Sequence, residues 1–279
     1  MRAAEGRGSA YLRVMQLLDK SNHWARLCQR VLTTTLFGVL ALGGFAQGEV
    51  APKDNRGGVL TLDFAVGGAL PHADLADRFG PLGTFGVGAD YLTPKDWFVG
   101  AEFAFLYNAD VKENPLAELF NENGQLYGNN LQPARLAYRA RGQYYGGRLG
   151  RLFQLGPDNT RSGIRVVLGA GLLQHKIRIQ EDATAPVPQV VGDYAKGYDR
   201  LSNGLALQQH VGYQYLSANR RINFYLGLDF YEAFTRNRRA VDFSTRVPDT
   251  TERTDILTGV RAAWILPLYT GKQADEIYY

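Results

Sequence analysis

From Ile222 to Phe230 every second residue is large and apolar: Ile222, Phe224, Leu226, Leu228, Phe230. Between them stand Asn223, Tyr225, Gly227 and Asp229. Side chains alternate across a strand, so this run carries one greasy face and one face of small or polar groups. The same period of two recurs along the chain. It predicts eight strands, at about 59–70, 80–92, 97–108, 135–154, 164–179, 201–216, 221–234 and 254–268. Most are longer than the five or six residues usual in globular proteins, and each reaches the roughly 9–11 residues a membrane-crossing strand needs.

The connections alternate as well. "TPKD" (93–96), "GPDNTRSG" (156–163) and "ANRR" (218–221) are tight links of turn-forming residues, while longer polar segments fall at about 71–79, 109–134, 180–200 and 235–253. Small periplasmic turns and larger external loops are expected of an outer-membrane barrel, with both chain ends on the periplasmic side. The faces agree. In the third strand Trp97, Val99, Ala101, Phe103, Phe105 and Tyr107 share one side against Gly100, Glu102, Ala104 and Asn108. The sixth sets Leu205, Leu207, Val211, Tyr213 and Tyr215 against Gly204, Gln208, His210 and Gln214. The eighth sets Ile256, Val260, Ala262, Trp264, Leu266 and Leu268 against Asp255, Gly259 and Arg261. The second face is polar, often charged, and too rich in glycine for a water-washed surface. Lipid outside and a narrow polar lumen inside account for both faces. The expected fold is all-β: a transmembrane up-and-down antiparallel β-barrel of eight strands over 59–269.

A short grammar recurs within the strands. "GADY" (88–91), "GAEF" (100–103) and "GLDF" (227–230) put glycine and an acid two apart, both inward, with the next aromatic outward; "GVRA" (259–262) is a version with arginine and alanine. The inward charge set is therefore Asp63, Asp90, Glu102, His210, Asp229 and Arg261, with Arg139, Arg141 and Arg165 as further inward candidates. Buried charge needs a partner. Strands one and seven both neighbour strand eight in a closed barrel, so Arg261 is expected between Asp63 and Asp229. Tyr91, Trp97, Tyr107, Tyr215, Trp264 and Tyr269, near strand ends, read as interface girdles.

Charge adds a boundary. The chain has 31 Lys+Arg and 27 Asp+Glu. Residues 1–46 hold six of the basic and two of the acidic residues, which leaves 25 of each, so the basic balance belongs to the front and gives no support for nucleic-acid binding. "WARLCQR", then the apolar stretch Val31 to Phe45, then Gly44-Phe45-Ala46 reads as a signal peptide over 1–46 cleaved before Gln47. An uncleaved anchor is the alternative, and Met15 is an alternative start. A periplasmic lead over 47–58 and a periplasmic tail over 270–279 complete the expected division. The single cysteine, Cys28, lies before the cleavage point, so no disulfide or thiolate metal site is expected in the mature chain.

Candidate chemistry is sparse. "FGVGADY", "VLGAGLL" and "GGRLGR" have glycine spacings but neither a following helix nor the Lys-Ser/Thr of a phosphate loop. His72, Asp74 and Asp77 offer one imidazole among carboxylates and read as a solvated loop rather than a metal site. His210 reads as a structural hydrogen-bonding group before a base. In the second long loop, Asn114, Pro115 and Asn123-Gly124 bracket an expected short helix.

The strand count, the loop asymmetry and the lumenal acid–arginine set resemble the small outer-membrane barrels of the OmpA/OmpX type. "WILPLY" (264–269) is similar to the aromatic last strand by which such barrels are recognised for assembly, although this chain continues with "TGKQADEIYY". The resemblance implies outer-membrane lipid and lipopolysaccharide as surroundings, the barrel-assembly machinery as a partner, an extracellular ligand for the loops, and no cofactor. Three functions follow as expectations: a side-chain-filled barrel acting through its loops, a narrow channel for small or apolar solutes, or a lipid-modifying enzyme. The third is disfavoured because His210 is lumenal and has no serine two residues away.

Overall fold

The computed structural model describes residues 57–155, 161–181, 185–217 and 222–269. The expected signal peptide, most of the expected lead, the tail, the turn at 218–221, part of the turn at 156–163 and residues 182–184 of the third long loop lie outside the described residues. Among those described, ten strands form: β1 (Val59–Ala73), β2 (Leu82–Leu92), β3 (Trp97–Asn108), β4 (Leu126–Tyr127), β5 (Pro133–Ala134), β6 (Ala137–Gln154), β7 (Gly163–Gln180), β8 (Ser202–Leu216), β9 (Asn223–Asn237) and β10 (Glu252–Tyr269). Eight of them close a barrel in the order β1-β10-β9-β8-β7-β6-β3-β2, every pair antiparallel; β4 and β5 make a separate small ribbon. Closure is made by β1 on β10, in register from Val59↔Tyr269 to Ala73↔Asp255. A closed ring leaves no sheet edge with unpaired backbone groups, which is what lets strands stand in a medium without water.

The eight strands fall where the alternation predicts them. At the loop-side ends β1, β7, β9 and β10 run one to three residues further than the hydrophobic pattern, while β2, β6 and β8 begin one or two residues later; the short-turn ends shift by two residues at most. Where a strand runs on, backbone pairing persists after the apolar face has stopped, because water beyond the greasy band still rewards the ladder.

Alternation of exposure is regular in every barrel strand. The outer wall presents Phe64, Val66, Val99, Leu149, Leu168, Leu226 and Val260 among many others, with Leu168 63% exposed. A band this continuous is far larger than the apolar patches soluble proteins tolerate. On β6 the outward cations Arg151 and Arg141 bracket it ten residues apart. At about 3.3 Å per residue and a tilt near 40°, that spacing spans about 25 Å of height, the thickness of a barrel's lipid-facing band.

Inside, a charged layer lies between two apolar layers. On the long-loop side Leu106, Tyr144, Leu173, Ile177, Tyr231 and Leu257 pack together with Leu75 and Phe79. On the short-turn side Val59, Leu92, Phe98 and Leu152 form one cluster, and Leu216, Tyr225 and Ile265 belong to another.

Two loop elements differ from expectation. The first long loop is not merely solvated: a one-turn helix, α1 (Asp74–Arg78), folds over the barrel mouth and buries Leu75, while Phe79 follows it inward. In the second loop only a three-residue 3-10 turn, Ala117–Leu119, replaces the expected helix. Asn114 Oδ1 accepts from the Leu116 N–H at 3.1 Å in a local turn, but the residue capping the 3-10 turn is Leu116, which has no side-chain cap. Asn121 Oδ1 then takes the N–H groups of Asn123 and Gln125, at 3.1 and 2.8 Å, and turns the chain before a second helical turn forms.

Candidate functional site

The inward charges of β1, β2, β3, β6, β7, β8, β9 and β10 meet in one buried network. Arg148, from β6, is its hub. Its guanidinium donates to Asp63 at 2.5 Å, to both Asp90 oxygens at 2.7 Å, and to Glu102. Arg165 donates to Asp90 at 2.5 Å and to Gln214 at 3.3 Å, while its guanidinium carbon lies 4.3 Å from the centre of the Phe98 ring. Arg261 donates to Asp229 at 2.6 Å, to Glu102 at 2.5 Å and to the Tyr231 hydroxyl at 2.8 Å. His210 faces Asp229 through Nδ1 and Glu102 through Nε2, the latter at 3.2 Å. Both ring nitrogens of His210 thus lie against carboxylate oxygens, one on β9 and one on β3. Gln208 completes the shell of Glu102 at 3.1 Å.

Local sequence explains why the layer fits. Gly88 lies inward beside the hub, and a Cβ there would fall 2.2 Å from Arg148 Nη2 and 2.7 Å from the Asp63 carboxylate. A Cβ on Gly100 would fall 2.2 Å from Asp90 Oδ1. The glycines two residues before Asp90 and Glu102 therefore leave the space that a neighbouring strand's ion-paired groups occupy.

Asp63, Asp90, Glu102, Arg165, His210, Asp229 and Arg261 all lie in this layer, each less than a tenth exposed. Three sequence readings are corrected. Arg139 and Arg141 share the outward parity of β6, because Tyr144 and Arg148 take the even, inward positions. They sit beyond the apolar band, where an outward arginine meets water and headgroups at little cost. Tyr269 has inward parity on β10 and packs with Val59, Leu92, Phe98 and Leu152, so it is a plug residue and not part of a girdle. Arg261 pairs with Asp229 but not with Asp63. The β1–β10 register sets Gly67 opposite Arg261 and Asp63 opposite Ile265, so Asp63 stands four residues lower and meets Arg148 across the lumen. Tyr91, Trp97, Tyr107 and Trp264 face outward and exposed, and Tyr215, half-buried, faces outward against Phe224 with ring centres 5.3 Å apart.

Sequence reasoning missed Arg148. The signal was present: Gly146-x-Arg148 followed by Leu149 repeats the grammar of Gly259-x-Arg261. It also missed a second lumenal group, in which His175 Nε2 lies 2.8 Å from Asp255 Oδ2 and Thr235 donates to the same oxygen at 2.5 Å. Phe79 closes over His175 edge-to-face.

Three lumenal voids are each about 10 Å³: one is lined by Asp63, Arg148, Arg165, His210 and Arg261, another by Leu75, Phe79, Leu106 and His175, and a third by Leu173, Asp229 and Tyr231. That volume is about one water molecule. Chemically, the layer can cross-link all eight strands through the lumen.

Above the mouth, four long loops are joined by one residue each. Arg78 donates to Glu113 at 2.7 Å, Arg200 reaches Glu113 at 2.9 Å, and Arg200 also pairs with Asp242. Burial lowers the Arg78 pKa from the usual arginine value, with Glu113 opposing that effect, and the hydrogen bond to Asp199 raises that of Arg239. Leu116, Leu126, Val187 and Val190 form a small apolar core between the second and third loops. His72, Asp74 and Asp77 do not converge: His72 Nε2 lies 2.8 Å from Thr258 Oγ1, and Asp74 accepts the Thr254 N–H at 2.7 Å.

No protein-family model matches the chain, and no curated protein matches it in sequence. Solved structures resemble it in fold. Ail, the attachment invasion locus protein of Yersinia pestis, is 11% identical, with 75% of this chain and 98% of Ail covered and a TM-score of 0.38. Neisserial surface protein A is 12% identical over 75% of this chain and 96% of its own, at a TM-score of 0.36. OprG, an outer membrane protein from Pseudomonas aeruginosa, is 10% identical over 77% and 98%, at 0.35. What the chain has in common with them is the antiparallel, up-and-down, eight-stranded β-barrel.

Proposed function

We propose that the chain is an outer-membrane protein of a Gram-negative envelope, with a lumen sealed by its own side chains and an ordered external cap as its working surface. The single observation carrying this reading is the buried network around Arg148 and Glu102, which ties strands from every side of the barrel and leaves voids of about 10 Å³. The void between Asp63, Arg148, Arg165, His210 and Arg261 is about the size of one water, and the apolar layers above and below add a second barrier to ions. The cap, held by Arg78, Glu113, Arg200 and Asp242, offers an extracellular partner a fixed surface. Incorporation into a planar lipid bilayer tests it: the reading expects no stepwise ionic conductance, and steady single-channel steps would replace it with the narrow-channel function.

A second reading, a lipid-modifying enzyme, is favoured by one observation. His72 and Thr258 form a hydroxyl–imidazole pair on the outer wall, and Thr258 also lines an apolar groove of about 490 Å³ with Leu70, Leu228, Phe230 and Val260. It ranks second because no carboxylate among the described residues orients the His72 ring, which an activated nucleophile needs. A mass change in lipid A extracted from expressing cells, absent with Thr258→Val, would establish it.

A further inference from the structure

The two arginines that face outward at the loop side of β6 stand opposite two further cations. In the β6–β7 register Arg139 pairs with Arg178 and Arg141 with Lys176. Like charges directly opposite each other on a sheet repel, and nothing on the wall relieves most of this repulsion. Among the described residues, Arg139 donates only to Gln180, at 3.2 Å, and Arg141 reaches its neighbour's carbonyl, Ala140, at 3.0 Å. Lys176 is 3.9 Å from Asp199, a long separation for an ion pair; Arg178 is exposed and meets no carboxylate among the described residues. Glu181 Oε2 accepts the Val187 N–H at 3.2 Å, and among the described residues no ion pair joins that carboxylate to the four cations.

Position gives the quartet its meaning. Descending β7 on the outer face, Arg178 and Lys176 give way to Gln174, then to Leu172, Ala170, Leu168, Val166 and Ile164. On β6 the corresponding order is Arg139, Arg141, Gln143, Tyr145. Charge, then amide, then apolar is the order a protein wall meets on passing from lipid phosphates into acyl chains. Arg141 also lies 5.8 Å over the Phe105 ring and pairs in register with Tyr107, so aromatic surface supports it from β3.

We infer that Arg139, Arg141, Lys176 and Arg178 form a binding site for the phosphates of an outer-leaflet glycolipid of the lipid A class, with the Tyr145–Leu172 wall beneath taking its acyl chains. Two cross-strand cation pairs match a ligand with more than one phosphate, and arginine forks bind phosphate oxygens in pairs. This inference rests on the outer-membrane reading and adds a ligand class and a place on the wall.

The test uses the full chain extracted in mild detergent from the outer membrane of an expressing host, its barrel verified by a heat-dependent gel shift. Bound lipid is counted by native mass spectrometry during titration with bis-phosphorylated lipid A and with dephosphorylated lipid A. The phosphorylated form should bind at least about tenfold more tightly, the equivalent of a single charge-assisted hydrogen bond. The quadruple variant Arg139→Gln, Arg141→Gln, Lys176→Gln, Arg178→Gln should keep the heat shift and lose that preference. Equal retention of the two lipids by the unaltered chain overturns the site, whether or not the variant folds. So does a folded variant that keeps the preference, or displacement of the lipid by an equal concentration of inorganic phosphate, which would mark a free-anion site. A missing heat shift is a different failure, since it removes the barrel itself.

Discussion

At the scale of single residues, the lumen combines buried charges with the space left for them. Arg148 holds three carboxylates from three strands, so its removal leaves Asp63, Asp90 and Glu102 without their common partner. Breaking a buried ion pair from one side costs about 3–5 kcal/mol. Arg148→Met should therefore lower the stability of the vesicle-folded barrel in urea by that much, while Arg141→Met, on the outer wall, should stay within about 0.5 kcal/mol of the parent. A similar loss in both would contradict the inward and outward assignments of β6. Gly88→Val should cost about 1–3 kcal/mol by the same assay, since its side chain would occupy the place of the Arg148 and Asp63 groups; an unchanged midpoint would mean the layer has slack. Most inward charges were legible in the sequence, because glycine, acid and outward aromatic keep fixed spacing. Arg148 was harder: in "YYGGRLGR" two tyrosines and two glycines stand side by side, so either parity gives a plausible face. The pairing of Arg261 was legible only in half, because the four-residue offset of Asp63 is a property of barrel shear, which no single strand records.

At the scale of elements, strands were legible and loops were not. A strand of 11 to 18 residues repeats its alternation often enough to be read. The five residues of α1 make barely one turn and display no period, although Leu75 and Phe79 are what close the mouth. The loop cross-links join residues from Arg78 to Asp242 and are set by folding, not by spacing. Their strength is testable. Glu113→Gln removes the carboxylate shared by Arg78 and Arg200 and should raise the rate of protease cleavage within the long loops several-fold, with the barrel core still protected. Unchanged cleavage would show that the Leu116–Val187 cluster holds the loops without help from the ion pairs.

At the scale of the whole molecule, three features describe one object: a ring with no free edge, an apolar outer band about 25 Å tall, and a lumen closed by ion pairs between apolar layers. Each depends on the others. The band requires lipid, lipid requires closure, and a ring of eight strands is narrow enough for side chains to fill. Closure is the central claim, and migration in SDS with and without boiling tests it most directly. Outer-membrane extract from cells expressing the full chain should give an unboiled band that runs faster than the boiled one, because the ring survives SDS until heat opens it. One band at the same position in both lanes, from material shown to be folded by its β-rich circular dichroism, would contradict a closed barrel.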